Sequence, residues 1–134
     1  MNNFEVGQEL AAVSYPIDRS LLVAYANASG DQNPIHQNEE FAKSVGLPDV
    51  IAHGMLTMAL AGRYVSDVAG GSDKVKEFFA RFIKPVVVPA GSTVNLVITG
   101  KISAIENGTA KLDIQAVCDE IKVLGMAKAV ISLS

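Results

Sequence analysis

The sequence predicts an α+β fold in which an antiparallel sheet wraps one long apolar helix, and three observations carry that expectation. Apolar residues recur at helical spacing in the first half of the chain and alternate with a period of two in the second. Between two of the alternating runs stands Asn107-Gly108, a dipeptide suited to a tight hairpin turn. No stretch of linker composition divides the chain, so one domain over residues 1–134 is expected.

Residues 10–16 alternate weakly and read as a short strand. Asp18 then offers an N-cap for a helix with Leu21, Leu22, Tyr25 and Ala26 on one face, ending at Ser29-Gly30. Asn38 caps a second, shorter helix. Its first turn holds Glu39 and Glu40, where the positive end of the helix dipole favours acidic groups, and Gly46 and Pro48 stop it. From Gly54 to about Val68 the chain is apolar nearly all round, which predicts a central helix buried on every side and closed by Gly70-Gly71. Strands are expected over 75–84, 92–105, 109–118 and 122–133. In the second of these, Val94, Leu96, Ile98, Gly100 and Ile102 share one face and Asn95, Thr99, Lys101 and Ser103 the other. The last strand is apolar on both faces, so its outer side is expected to meet a neighbour.

A chain of 134 residues buries only about two-thirds of its unfolded surface on folding, so a partner subunit would add cover, and at least a dimer is expected. The net charge of −3, from 11 basic and 14 acidic residues, argues against binding nucleic acid or an anionic membrane by bulk electrostatics. The single Cys118 excludes an internal disulfide and fits a reducing compartment. Met1-Asn2-Asn3-Phe4-Glu5 lacks the features of a signal peptide, and no run approaches the ~20 apolar residues of a membrane span. A cytoplasmic location is the expectation.

Both histidines lie in short polar elements beside glycine. The first element is Ser29-Gly30-Asp31-Gln32-Asn33-Pro34-Ile35-His36, and the second is Ala52-His53-Gly54-Met55, opening the long apolar helix. Pro34 disfavours helix at Asn33, so the first element is a turn that brings Asp31 and His36 toward one point. Two groups that exchange protons with a shared water are what addition or elimination of water requires, Asp31 accepting or orienting and His36 relaying. Gly54 presents a backbone N–H at the positive end of a helix with no side chain in the way, a donor for a carbonyl oxygen that gains charge. His53 reads equally as a structural hydrogen-bonding residue and as a substrate contact, and stays outside the catalytic pair. Asp31 also reads as a turn former and Gly54 as a close-packing position.

Asp31, His36 and His53 have the ligand types of a two-histidine, one-carboxylate iron site, but that reading leaves Gly54 without a role, and no metal is expected. A calcium loop opening at Asp31-Gln32-Asn33 fails at Ile35 and His36, where such a loop calls for oxygen and glycine.

The first element resembles the signature of the MaoC-like (R)-specific enoyl-thioester hydratases. Ile51-Ala52-His53-Gly54-Met55-Leu56-Thr57-Met58 resembles the start of their central helix, and Arg81-Phe82-Ile83-Lys84-Pro85-Val86-Val87-Val88-Pro89-Ala90-Gly91 their following strand and turn. With Glu40-Phe41-Ala42-Lys43-Ser44-Val45-Gly46-Leu47, the chain is most similar within that family to the B-type catalytic subunit of actinobacterial (3R)-hydroxyacyl-ACP dehydratases. The resemblance implies a hot-dog fold and reversible hydration of a trans-2-enoyl thioester carried by CoA or acyl carrier protein. It implies a homodimer, or a heterodimer with a related hot-dog subunit, and no cofactor. By position, Asp31 and His36 would hold the catalytic water and Gly54 would polarise the thioester carbonyl, with Asn33, Ser29 and His53 in support. A hot-dog thioesterase and a non-catalytic acyl-thioester-binding protein are the alternatives. Arg63, Lys74, Lys76, Arg81 and Lys84 offer cations to an anionic carrier.

Overall fold

The computed structural model describes residues 3–134. Its elements run β1 (Glu9–Ile17), α1 (Arg19–Ser29), a single 3-10 turn (Pro34–His36), α2 (Glu39–Ser44), α3 (Gly54–Ala69), a second 3-10 turn (Ser72–Lys74), β2 (Val75–Phe82), β3 (Val94–Glu106), β4 (Thr109–Cys118) and β5 (Ile121–Ser132). Local chemistry sets most of these bounds. The Asp18 carboxylate accepts from the Leu21 amide at 2.8 Å and starts α1, while Gly30 closes it at φ 81°. Asn38 accepts from the Phe41 amide at 2.9 Å and starts α2.

The strands form one antiparallel sheet in the order β1-β3-β4-β5-β2. Asn107 and Gly108 both have positive φ, 53° and 76°, the backbone that lets a two-residue turn follow the twist of its strands. β2 and β1 lie at the two edges. Long connections carry the chain from β1 through the helices to β2 and from β2 across residues 83–93 to β3.

The sheet curls round α3. Leu56, Ala61, Tyr64, Val65 and Ala69 of the helix are buried in one core with Leu96 and Ile98 of β3, Leu112 and Ile114 of β4, and Leu124 and Ile131 of β5. Gly100 permits the close approach, since a Cβ there would stand 3.2 Å from the Tyr64 ring. The Tyr64 hydroxyl passes β3 to donate to the Ala11 carbonyl on β1 at 2.8 Å. This is the expected hot-dog arrangement of a helix inside a curled sheet.

One sequence expectation is corrected. The long helix is not buried on every side: Met55, Ala59, Arg63 and Asp67 recur every fourth residue along an exposed stripe. Met55 and Ala59 carry no polar mark of that outward side, so a reading by hydropathy misses it. In β5, Val123, Leu124, Ala127, Ala129 and Ile131 are buried, and Ile121 and Met126 are exposed on the single chain.

Candidate active site

The segment from Ser29 to His36 is built by three successive bonds of the same kind, each from a side-chain oxygen to the amide two residues on. The Ser29 hydroxyl accepts from the Asp31 amide at 3.1 Å, Asp31 Oδ1 from the Asn33 amide at 3.1 Å, and Asn33 Oδ1 from the Ile35 amide at 3.2 Å. Short polar side chains at alternate positions replace the main-chain bonds that a loop lacks. Pro34 then enters the 3-10 turn at its first position, where no amide is needed.

A second segment bolts this loop to the rest of the molecule. The Ile51 amide donates to the Ile35 carbonyl at 3.2 Å, and His36 Nδ1 lies 2.7 Å from the Ile51 carbonyl. On its other side the segment pairs with residues 86–88, through Ala52 N–H to Val86 O and Val88 N–H to Val50 O, each 2.8 Å. Arg19 ties the outer end, donating to the Val88 carbonyl at 2.6 Å and pairing with Asp49 at 2.9 Å.

A carbonyl oxygen only accepts, so His36 carries its proton on Nδ1 and leaves Nε2 with a lone pair. The ring is buried. Burial pushes its pKa below the ordinary histidine value; the Ile51 carbonyl and Asp31 draw it back up, and neighbouring His53 pushes it down.

Asp31, His36 and His53 each offer a ligating atom within 4.8 Å of the others. The Asp31 side chain is exposed and both imidazoles are buried. Yet the rings of His36 and His53 are stacked, centroids 3.8 Å apart and planes at 22°. Each lone pair lies in its own ring plane, and the two planes are offset and nearly parallel, so they do not converge, whereas two histidines on one ion must aim at a common point about 2 Å from each nitrogen. As placed, the set does not fit a chelate using both rings. It does suit proton transfer, since a carboxylate and an imidazole nitrogen lie within reach of one water.

Beside His36 opens a cleft of about 420 Å³, lined by Ile35, Ile51, Gly54, Thr57, Phe82, Ile83 and Lys84 among others. Its walls are largely apolar. Gly54 is the first residue of α3, whose N-cap, His53, makes no side-chain capping bond, so the amides there are not capped by that side chain. A Cβ at residue 54 would stand 3.4 Å from the Phe82 ring. The absent side chain thus gives room both for that ring and for approach to the amide. A hollow of about 450 Å³ on the outer side of the sheet, along Phe79, Lys111, Asp113 and Lys128, contains neither histidine.

Asp31, His36 and His53 lie together, His36 shares the cleft with Gly54 while Asp31 is not among its lining residues, and Ser29 and Asn33 brace the loop that holds Asp31. Thr57 and Phe82 were missed as parts of the site. A hydroxyl one helical turn after Gly54 in an otherwise apolar run was the available signal for Thr57. Nothing in the sequence pointed to Phe82, which reaches the cleft from an edge strand.

A family model described as MaoC like domain matches residues 2–117. Among curated proteins, the chain is 42% identical over 66 residues to 3-hydroxyacyl-thioester dehydratase X of Mycobacterium tuberculosis, a match covering 49% of this chain and 22% of that protein. The chain thus spans less than a quarter of that relative's length. A solved MaoC-like dehydratase superposes with a TM-score of 0.96 at 36% identity, over 98% of this chain and 41% of the other. An (R)-hydratase from A. caviae involved in PHA biosynthesis superposes over the full length of both chains with a TM-score of 0.85 at 23% identity, a likeness of fold. With the sheet-wrapped helix and the matched residues together, the chain belongs to the MaoC-like domain family.

Proposed function

We propose that the chain catalyses the reversible hydration of a trans-2-enoyl thioester to a (3R)-3-hydroxyacyl thioester. One observation carries the reading: Asp31 and His36 offer side-chain atoms within 4.8 Å of each other, and His36, its Nδ1 committed to the Ile51 carbonyl, lines an apolar cleft together with Gly54, the first residue of α3. A water held between Asp31 and His36 adds its oxygen to the β-carbon, and the pair takes up its proton. The π electrons move toward the thioester oxygen, where the Gly54 amide and the helix dipole stabilise the growing charge. The proton then returns to the α-carbon, which completes the addition without cofactor or metal. Ser29 and Asn33 support the loop that carries Asp31. The (3R) product follows from the family resemblance.

The carrier is CoA or acyl carrier protein, and both are anionic. Lys84 lines the cleft directly, where it would meet either. The active form is at least a dimer, a homodimer or a heterodimer with a related hot-dog subunit. Edge strand β2 and its neighbours leave Phe79, Phe82, Ile83, Ile121 and Met126 exposed, and an open strand edge is a ready site for pairing.

The test is incubation with a short trans-2-enoyl-CoA, following loss of the conjugated thioester and determining the product's chirality. Asp31→Asn and His36→Ala are each expected to lower turnover on the order of 10²-fold or more. Release of free thiol without a hydroxyacyl product would assign the site to a thioesterase. A folded variant with wild-type turnover would remove its residue from the mechanism.

A further inference from the structure

His53 is a buried polar group that this mechanism does not use. It is 1% exposed, is the N-cap residue of α3, and has a ring wedged between two aromatic neighbours. His36 stacks on it at 3.8 Å, and Tyr25 meets it edge-on at 4.8 Å. Its Nε2 lies 3.1 Å from the Asp31 carbonyl, while its Nδ1 is buried with no partner among the described residues. As the Asp31 carbonyl only accepts, His53 carries its proton on Nε2, the opposite tautomer to His36.

From this geometry we infer that His53 is a positioning residue which sets the distance between the two proton-transfer groups, holding Asp31 through its main chain and His36 through its ring. The inference rests on the catalytic reading of Asp31 and His36. The three side-chain turns fix the shape of the loop from within, but all of them are local bonds and none ties Asp31 to the helix. The bond from His53 does. It anchors the Asp31 peptide to the residue before Gly54, and the same ring forms the surface on which His36 rests. One side chain thus refers the carboxylate, the imidazole and the helix amide to a common frame. Removing the Nε2–H leaves a ring of similar shape but frees the Asp31 peptide. A displacement of about 1 Å in a reacting group costs on the order of 10²-fold in rate while leaving the apolar cleft intact.

Two substitutions separate the contacts. His53→Phe keeps a ring and loses the donor; His53→Gln loses the ring and places an amide N–H near the position of Nε2. With a short trans-2-enoyl-CoA, His53→Phe is expected to lower kcat on the order of 10- to 100-fold with KM within about 3-fold, and His53→Gln to stay within about 5-fold of wild-type kcat. Wild-type kcat in a folded His53→Phe variant, or equal losses in the two variants, would overturn the inference. Two further measurements need no turnover. Nitrogen-15 NMR of the neutral imidazoles should show His53 as the Nε2–H tautomer and His36 as the Nδ1–H tautomer; His53 protonated on Nδ1 would overturn the inference even if His53→Phe did not fold. Hydrogen exchange at the Asn33 and Ile35 amides should quicken in His53→Phe, and unchanged exchange would likewise overturn it. If the wild-type protein hydrates no enoyl thioester, the functional reading fails and these two measurements still decide whether His53 holds the loop.

Discussion

His36 donates its Nδ1 proton to the carbonyl of Ile51 over 2.7 Å, and that bond decides which nitrogen keeps a lone pair. It also makes the proton inventory of the site predictable. Burial holds His36 below the ordinary histidine value, so neutral imidazole persists into mildly acidic solution. The acid limb of kcat/KM attributable to His36 is expected with its midpoint below about 6.5, the unperturbed value. Folding stability follows the same sign. The unfolded chain binds the proton more readily, so stability from His36 is present above about 6.5 and declines as pH falls through that value toward the folded pKa. A pH–rate profile compared with that of a folded His36→Gln variant would check it, and a His36-dependent inflection above 6.5 would contradict it.

Gly54→Ala tests the amide at the head of α3. The added methyl would meet Phe82 at 3.4 Å, an ordinary van der Waals contact, so the variant is expected to fold with a Tm within a few degrees of the parent. Turnover is expected to fall by about 10-fold or more, because the methyl crowds the side from which a thioester oxygen reaches the amide. Calorimetry paired with the hydration assay measures both, and unimpaired turnover would leave the glycine a packing role only.

Thr57→Val keeps the shape of a buried side chain and removes its hydroxyl. Thr57 is buried and lines the cleft. A group facing bound substrate or water in this way is worth about 0.5–1.5 kcal/mol, so kcat/KM is expected to drop roughly 2- to 10-fold with little change in Tm. A loss of stability with unchanged kinetics would make the hydroxyl structural instead.

Light scattering of the purified chain should give a mass near twice its 14.1 kDa. The exposed apolar groups on and beside β2 are the reason. A stable and active monomer would overturn the requirement for a second subunit. An inactive homodimer rescued by a related hot-dog chain would favour the heterodimer.

Features settled by near neighbours were legible in the sequence. Asp18 and Asn38 were readable as caps because each bonds an amide three residues on, and Asn107-Gly108 was readable because its turn depends on those two backbones. The proximity of Asp31 and His36 followed from the turn between them. The stack of His36 on His53 was not legible, since two histidines 17 positions apart meet only when the segment at Ile51 pairs with the one at Ile35. Phe82 enters the cleft for a similar reason, through the placement of β2 at the sheet edge. The exposed side of α3 was misread because Met55 and Ala59 carry no polar mark of an outward position.

The Asn33 amide donates to Asp31 Oδ1, so one oxygen of the carboxylate proposed to react belongs to the architecture. Its sibling oxygen is aimed by the main chain before any substrate arrives, so little side-chain freedom remains to be lost during the reaction. Substitution by glutamate would preserve the charge but lengthen the arm by one methylene, opening the small ring that includes the Asn33 amide and swinging the carboxylate away from its set direction. At this position a replacement that is conservative by charge is radical by geometry, whereas asparagine, with an oxygen in the same place, preserves the scaffold and silences only the acid–base chemistry.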